Sequence, residues 1–345
     1  MNRILRCIVF IVLAAAFVSC SKNTRTLYVH TWAEYLCPEV IADFEKKYNC
    51  EVKVVLDYFD SNEAMYAKLK ITGGGEYDIV IPSGYMASLM KRNDFIDDID
   101  KSQIPNLKNI EMQYLQKMND PDMKYSVPYG IGFCVLGYNK SKIPDLKPTW
   151  QNFGNPQFFH KITMLKDMRE SIGVALICLG YSINTTDDRQ LQEAKELLLK
   201  WKKNIAAYQY DEARTSLAFN NLSVIHAWNI DMLLMEKGNP EFAFVIPEEG
   251  TLIGYDSFVI PKNAKNKDLA YEFINFMYVP ENAVRNMKHT PFLAPNREAL
   301  KLLDKEFLKK ITIPDNISEK SEFIKDIGYD IGKYQKIWMD ILSQS

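Results

Sequence analysis

The sequence predicts an α/β protein of two lobes around a cleft, and three observations lead there. Strand-like and helix-like segments alternate from residue 26 to 95, and again after about residue 135. Such alternation marks parallel sheets wound with helices. The 345 residues, 47% of them hydrophobic, suffice for two cores of ordinary domain size. No low-complexity linker, internal repeat or heptad series separates the two runs, so the units should form rigid lobes.

In the first unit, "RTLYVHTW" reads as a strand. "PEVIADFEKKYN" places Val40, Ile41, Phe44 and Tyr48 at helical spacing, with Pro38 suited to a first turn. "CEVKVVLDYF" is a strand. "SNEAMYAKLKITGGG" opens on Ser or Asn as a cap and ends in glycines, so it is a helix with both boundary signals. The strand "YDIVIPS" and the helix "YMASLMKRNDF" complete the unit. The glycines at 73–75 lack a following Lys-Ser/Thr and read as a helix stop, not a phosphate loop.

"GFCVLGYNKSKIP" reads as a strand leaving the first unit. "KITML" is a strand, 168–180 a helix and "DDRQLQEAKELLLKWKKNI" a long amphipathic helix. The strand "SVIHAW", the helix "NIDMLLMEKGN" and the strand "EFAFVIP" come next. "TLIGYDSFVIPKNAKNKDLAYEFINFMYV" gives a strand and a helix, and the last 45 residues are mostly helical and charged.

The N-terminus, "MNRILRCIVFIVLAAAFVSCSKN", has basic Arg3 and Arg6 and an apolar core from Ile8 to Phe17. That core is too short to span a bilayer and reads as a signal peptide over 1–19. Cys20 after the small Ser19 is similar to the lipobox of bacterial lipoproteins, although Phe17 stands where Leu is usual. The similarity implies lipidation of Cys20, a tether over 20–25, and a periplasmic protein held to a membrane by its lipid.

The whole chain carries a net charge of −2, and without residues 1–19, which hold two arginines and no acid, −4. This balance argues against a nucleic-acid partner, which needs a basic footprint. Cys37, Cys50, Cys134 and Cys178 have no metal-ligand spacing, so no metal and no cofactor are expected. Cys37 and Cys50 flank one helix, too far apart to bridge, and all four are expected to be buried free thiols.

Ligands of open α/β sheets sit beyond the carboxyl ends of the strands. Those ends carry Trp32, Glu34 and Tyr35, then Ser83 and Tyr85, then Asp167 and Glu170, then Trp228 and Asn229, then Tyr255 and Asp256. Rings attract ammonium groups and cover methylenes, while carboxylates accept N–H donors. An organic cation fits this set. Asp167 and Glu170, three apart at the head of an apolar run, also fit a capping box. His226 reads as a packed core histidine and Arg169 as a surface or lobe-bracing residue.

"TWAEYL", "SNEAMYAKLK", "YDIVIPSGY", "VPYGIGFCVLGYN", "DMRESIGVALICLGYSINTTD", "AWN", "YDSFVIPKNAKNKD" and "APNREA" together resemble the spermidine/putrescine-binding proteins of bacterial polyamine ABC importers. The resemblance runs in order from about residue 26 to 340. It implies the type II periplasmic-binding-protein fold: 26–134 plus 255–300 as the first lobe, 135–254 plus 301–345 as the second. It implies a monomeric receptor, not an enzyme, that closes on a polyamine and presents it to an ABC permease. Trp32, Tyr35, Ser83, Tyr85, Asp167, Glu170, Trp228, Tyr255, Asp256 and Phe292 are the ligand-binding residues it implies, with Asp256 the principal amine-binding carboxylate. Asp167 and Glu170 are then expected to cap the helix and face the amine.

Three positions depart from the family pattern. Gly254 stands where Trp is typical, Phe292 where Tyr is expected, and Ile324 where Gln is expected. The preferred polyamine is therefore left open. The alternative is a receptor of the same fold for a cationic amino acid or iron. No nucleophile elbow supports a hydrolase.

Overall fold

The computed structural model describes residues 24–343. Cys20 and the signal peptide expected over 1–19 lie outside them. The first unit runs β1 (Arg25–Thr31), α1 (Pro38–Lys47), β2 (Val52–Tyr58), α2 (Asn62–Thr72), β3 (Ile79–Val80) and α3 (Gly84–Arg92). Both sheet pairs are parallel, in the order β2-β1-β3. β1 buries Leu27 and Val29 and leaves Tyr28 in solvent, the period of a half-buried strand. α1 buries Val40 and Phe44 one turn apart and begins on a proline. At the head of α2 the Ser61 hydroxyl accepts the Ala64 N–H at 3.2 Å, an N-cap legible in "SNEA".

After a short helix α4 (Met112–Leu115) comes β4 (Val127–Asn139), a strand of 13 residues. Its first half pairs antiparallel with β9 (Leu252–Phe258). Between β4 and β9 the chain forms β5 (Ile162–Met164), α5 (Met168–Cys178), α6 (Asp188–Lys202), β6 (Ile205–Tyr208), α7 (Asp211–Ala218), β7 (Val224–Trp228), α8 (Asn229–Gly238) and β8 (Phe242–Val245). From Cys134 onward β4 pairs with β7 instead, and from Leu136 also with β8. One strand therefore passes from one sheet system into the other, changing partners at Phe133 and Cys134. β9 makes the return crossing, carrying β10 (Glu322–Phe323) on Leu252 and Ile253 and bridging β3 through Val259. The larger sheet runs β10-β9-β4-β7-β5-β6.

The remaining helices are α9 (Lys267–Met277), α10 (Pro280–His289), α11 (Arg297–Leu300), α12 (Lys305–Ile311), α13 (Asp315–Ser318) and α14 (Ile331–Ser343). α9 packs on the first unit, while α14 packs on α6 and α5 of the second. The second core gathers Trp150, Phe153, Leu176, Trp201 and Tyr334, all fully or almost fully buried.

Two elements differ from the sequence reading. The long helix stops at Lys202, and Ile205–Tyr208 forms β6, because this stretch pairs parallel with β5. "YDIVIPS" gives only two residues of ladder, since the sheet hands over to β9 through single bridges. The four cysteines among the described residues are free, but Cys50 is exposed and Cys178 half-buried; of these four, Cys37 and Cys134 are buried. Cys50 follows α1 in a left-handed turn at φ 61°, which turns it outward. Among the described residues no helix is long and apolar enough to cross a membrane.

Candidate functional site

Asp256 lies on β9 opposite Ser83, in a bridge that continues β3. Tyr35, in the loop after β1, donates its hydroxyl to Asp256 Oδ2 at 2.7 Å. Ser83 donates to Oδ1 at 2.9 Å. Ser83 precedes α3 at the N-cap position, yet its side chain caps nothing. Its hydroxyl goes to Asp256 and receives the Asn62 amide at 3.1 Å. The Trp32 indole N–H also draws on the carboxylate, without closing a well-formed hydrogen bond. Burial pushes the Asp256 pKa up to about 6, while Tyr35, Ser83 and Trp32 pull it down. The result is a carboxylate held by two neutral hydroxyls, with the Trp32 indole N–H nearby and no cation on it.

Tyr35 is itself fixed from behind. Its carbonyl accepts the Tyr129 hydroxyl at 3.0 Å, and its ring packs on Tyr129 and Phe292 at 5.2 and 5.3 Å. Phe292 is fully buried, so it supports Tyr35. Trp32 packs on Phe59 at 4.4 Å. Glu34 is exposed, in a left-handed turn at φ 56°.

A second group of acids faces this end from the other lobe. Asp167 is the N-cap of α5 and accepts the Arg169 N–H at 2.8 Å. The capping half of the motif therefore forms. The reciprocal half does not. Glu170 is buried, its Oε2 has no partner, and burial with the neighbouring Asp167 charge holds its pKa well above the usual carboxylate range. Arg169, between them in sequence, points away. Its guanidinium donates to Lys325 O and Asn184 Oδ1, each at 2.8 Å, and lies over the Tyr334 ring, bracing α5 against the C-terminal segment.

Tyr85 leaves α3 to pack against the second core, with its hydroxyl 3.3 Å from Asn62 and 3.4 Å from Glu63. Trp228 ends β7 and stands half-buried against the β9 crossing. A Cβ at Gly254 would lie 2.6 Å from its indole Cη2. The glycine where the family has Trp is therefore not a gap, because the Trp228 ring occupies that space. Tyr255 does not join the set. Strand alternation turns it away from Asp256, over Gly84, where an added Cβ would fall 2.0 Å from its ring. There its hydroxyl accepts the Asn119 N–H at 2.8 Å. Ile324 is buried in the second core.

Sequence reasoning missed Glu63, Asn62 and Tyr210. The first two lie in "SNEA", read only as a helix start. Tyr210 comes after β6, a strand that the sequence reading left unassigned, and turns its hydroxyl to Asp167. His226 is a core residue as expected: it is buried against Trp150, its pKa lowered to about 3 by desolvation. Arg214 pairs with Asp231 at 3.1 Å. A separate polar recess of about 320 Å³ lies beside the Arg92–Asp326 ion pair, which ties α3 to the segment after β10. No group of His, Cys, Asp and Glu among the described residues could hold a metal ion.

Two sheets joined by crossing strands, with a cleft at their carboxyl ends lined by rings and acids, define a two-lobed solute receptor of the type II periplasmic-binding-protein class. The family model described as bacterial extracellular solute-binding protein matches residues 39–314. The spermidine/putrescine-binding periplasmic protein of Salmonella typhimurium is 34% identical over 324 residues, covering 93% of this chain and 92% of that one. The putrescine/cadaverine-binding protein of Pseudomonas aeruginosa is 31% identical, covering 91% and 93%. Among solved structures, a putative spermidine/putrescine ABC transporter protein from Listeria monocytogenes superposes with TM-score 0.84 at 33% identity, covering 92% of this chain and 99% of that one. The TpPotD lipoprotein of Treponema pallidum gives TM-score 0.84 at 34% identity, covering 92% and 99%. This chain belongs to the bacterial extracellular solute-binding proteins, alongside their spermidine/putrescine-binding members.

Proposed function

We propose that this protein captures a polyamine of the putrescine or spermidine class between its lobes and delivers it to the permease of an ABC importer. Asp256 carries the reading. It is a desolvated carboxylate with neutral donors only, so its charge is left for an ammonium. Trp32, Tyr35, Tyr85 and Trp228 supply rings for the methylenes, Ser83 and Phe292 hold the carboxylate and Tyr35 in place, and Asp167 with Glu170 receives the other amine. Tyr255 contributes indirectly, by seating β9 against α3. The reaction is binding and closure, with no chemistry on the ligand.

The lobes are 26–134 with 255–300, and 135–254 with 301–345; the partner change in β4 at Phe133 and Cys134 supports that boundary. The working protein is a monomer, exported by residues 1–19 and tethered to a membrane through lipid on Cys20. Native mass spectrometry of protein purified without a ligand-stripping step tests the ligand: one putrescine or spermidine should travel with the chain. A chain carrying neither, and silent to both in calorimetric titration, would reject the proposal.

A further inference from the structure

Glu63 belongs to the first lobe, in the opening turn of α2. The residue is exposed, yet burial of its carboxyl raises its pKa, and the Tyr85 hydroxyl lies 3.4 Å away. The outside charge acting on it is Asp167, from the opposite lobe. Glu63, Asp167 and Glu170 together act on both Tyr85 and Tyr210. Three carboxylates from two lobes thus share one neighbourhood. Arg169 is the cation beside them, and its guanidinium is committed to Lys325, Asn184 and Ile183. Glu170 is 7% exposed; its carboxyl shares a side-chain hydrogen bond with Asp167, and its Oε2 is left without a partner. An acceptor that deeply buried and unanswered marks a place for a donor from outside the chain.

The donor count narrows what that donor is. A primary ammonium offers three N–H groups, and a secondary ammonium two. Three carboxylates match the primary one. Resting on the polyamine reading, we propose that Glu63 completes a three-carboxylate cradle for the terminal primary ammonium of the ligand, and that this ammonium ties the lobes together. Without it, the Glu63 charge repels Asp167 across the cleft and favours the open form. With it, both lobes hold the same cation. The ligand thus binds the closed form better than the open one, which any closure mechanism requires. Glu63 is then a specificity-determining residue that couples capture to closure.

The test compares the full chain with Glu63→Gln and Glu63→Asp, titrating putrescine by calorimetry and following the radius of gyration by small-angle scattering. Glu63→Gln should lower putrescine affinity at least tenfold, and its saturated form should contract less than the parent. Glu63→Asp keeps the charge one methylene back and should lose less. The ligand-free melting temperatures should match the parent, since the side chain is exposed. Parental affinity and contraction in Glu63→Gln would overturn the inference, and so would equal losses in the two variants. Should Glu63→Gln fail to fold, Glu63→Asp decides alone: unchanged affinity and contraction overturn it, partial loss of both supports it. A parent that binds no putrescine would instead reject the polyamine reading.

Discussion

The Tyr35 hydroxyl donates to Asp256 across 2.7 Å, joining the loop after β1 to a strand 221 residues later. The bond stabilises a carboxylate without neutralising it. A lysine in Tyr35's place would quench the charge; a phenol leaves it for the ligand. Asp256→Ala should therefore weaken polyamine binding by about 2–5 kcal/mol, the usual effect of removing one member of a buried charge pair. Tyr35→Phe should cost less, because Ser83 still holds the carboxylate. Calorimetric titration of putrescine ranks the two, and equal small losses would remove Asp256 from its role.

Burial makes the Asp256 carboxyl pH-sensitive. Its pKa rises from 3.8 to about 6 on folding. Between those values the folded chain holds the proton more tightly than the unfolded chain does. Stability from this group is therefore highest below pH 3.8 and falls as pH rises through 6. The full difference is about 3 kcal/mol at most. Asp256→Asn removes the effect. Its stability relative to the parent should climb between pH 4 and 7, measured by denaturant midpoints without ligand; a flat difference would contradict the shift. Polyamine binding should run the other way and weaken as pH drops below about 6, because the protonated acid offers no charge.

Gly254 and Trp228 form one steric unit. An alanine Cβ at 254 would sit 2.6 Å from the indole, so the ring must move. Gly254→Ala should change the ligand-induced tryptophan fluorescence and lower affinity several-fold, with little change in melting temperature. Parental fluorescence and affinity would show that the ring is free to shift.

Arg169 is a structural cation, in spite of its place between two acids of the proposed site. Arg169→Met should destabilise the chain by about 3 kcal/mol, since it orphans the Lys325 carbonyl and removes one of the two donors on Asn184 Oδ1. Thermal unfolding measures the loss. A melting temperature near the parent's would mean that the C-terminal segment docks without this brace.

Much of this architecture was legible in residue patterns. Alternating periodicity located β1 to α3, and Ser61 announced its own cap. Strand ends drew attention to Trp32, Tyr35, Ser83, Asp167, Trp228 and Asp256, because local rules decide where a chain turns and which residue types stand at the turn. Other features depend on contacts between distant residues. β6 exists because β5 offers it a ladder, and its stretch carries no strand signal of its own beyond the end of the long helix. Tyr255 and Asp256 are neighbours in sequence, and only the pleat of β9 sends one to the site and the other to packing. Arg169 read as a surface or lobe-bracing residue, and only the C-terminal segment showed which carbonyls it braces against. Glu63 read as a helix-start acid until Asp167 arrived opposite it from the other lobe. The sequence by itself determined the elements and the chemical character of the cleft, since both arise from short-range periodicity and residue type. The tertiary structure alone decided which acids face one another, because that depends on where two crossing strands place the lobes.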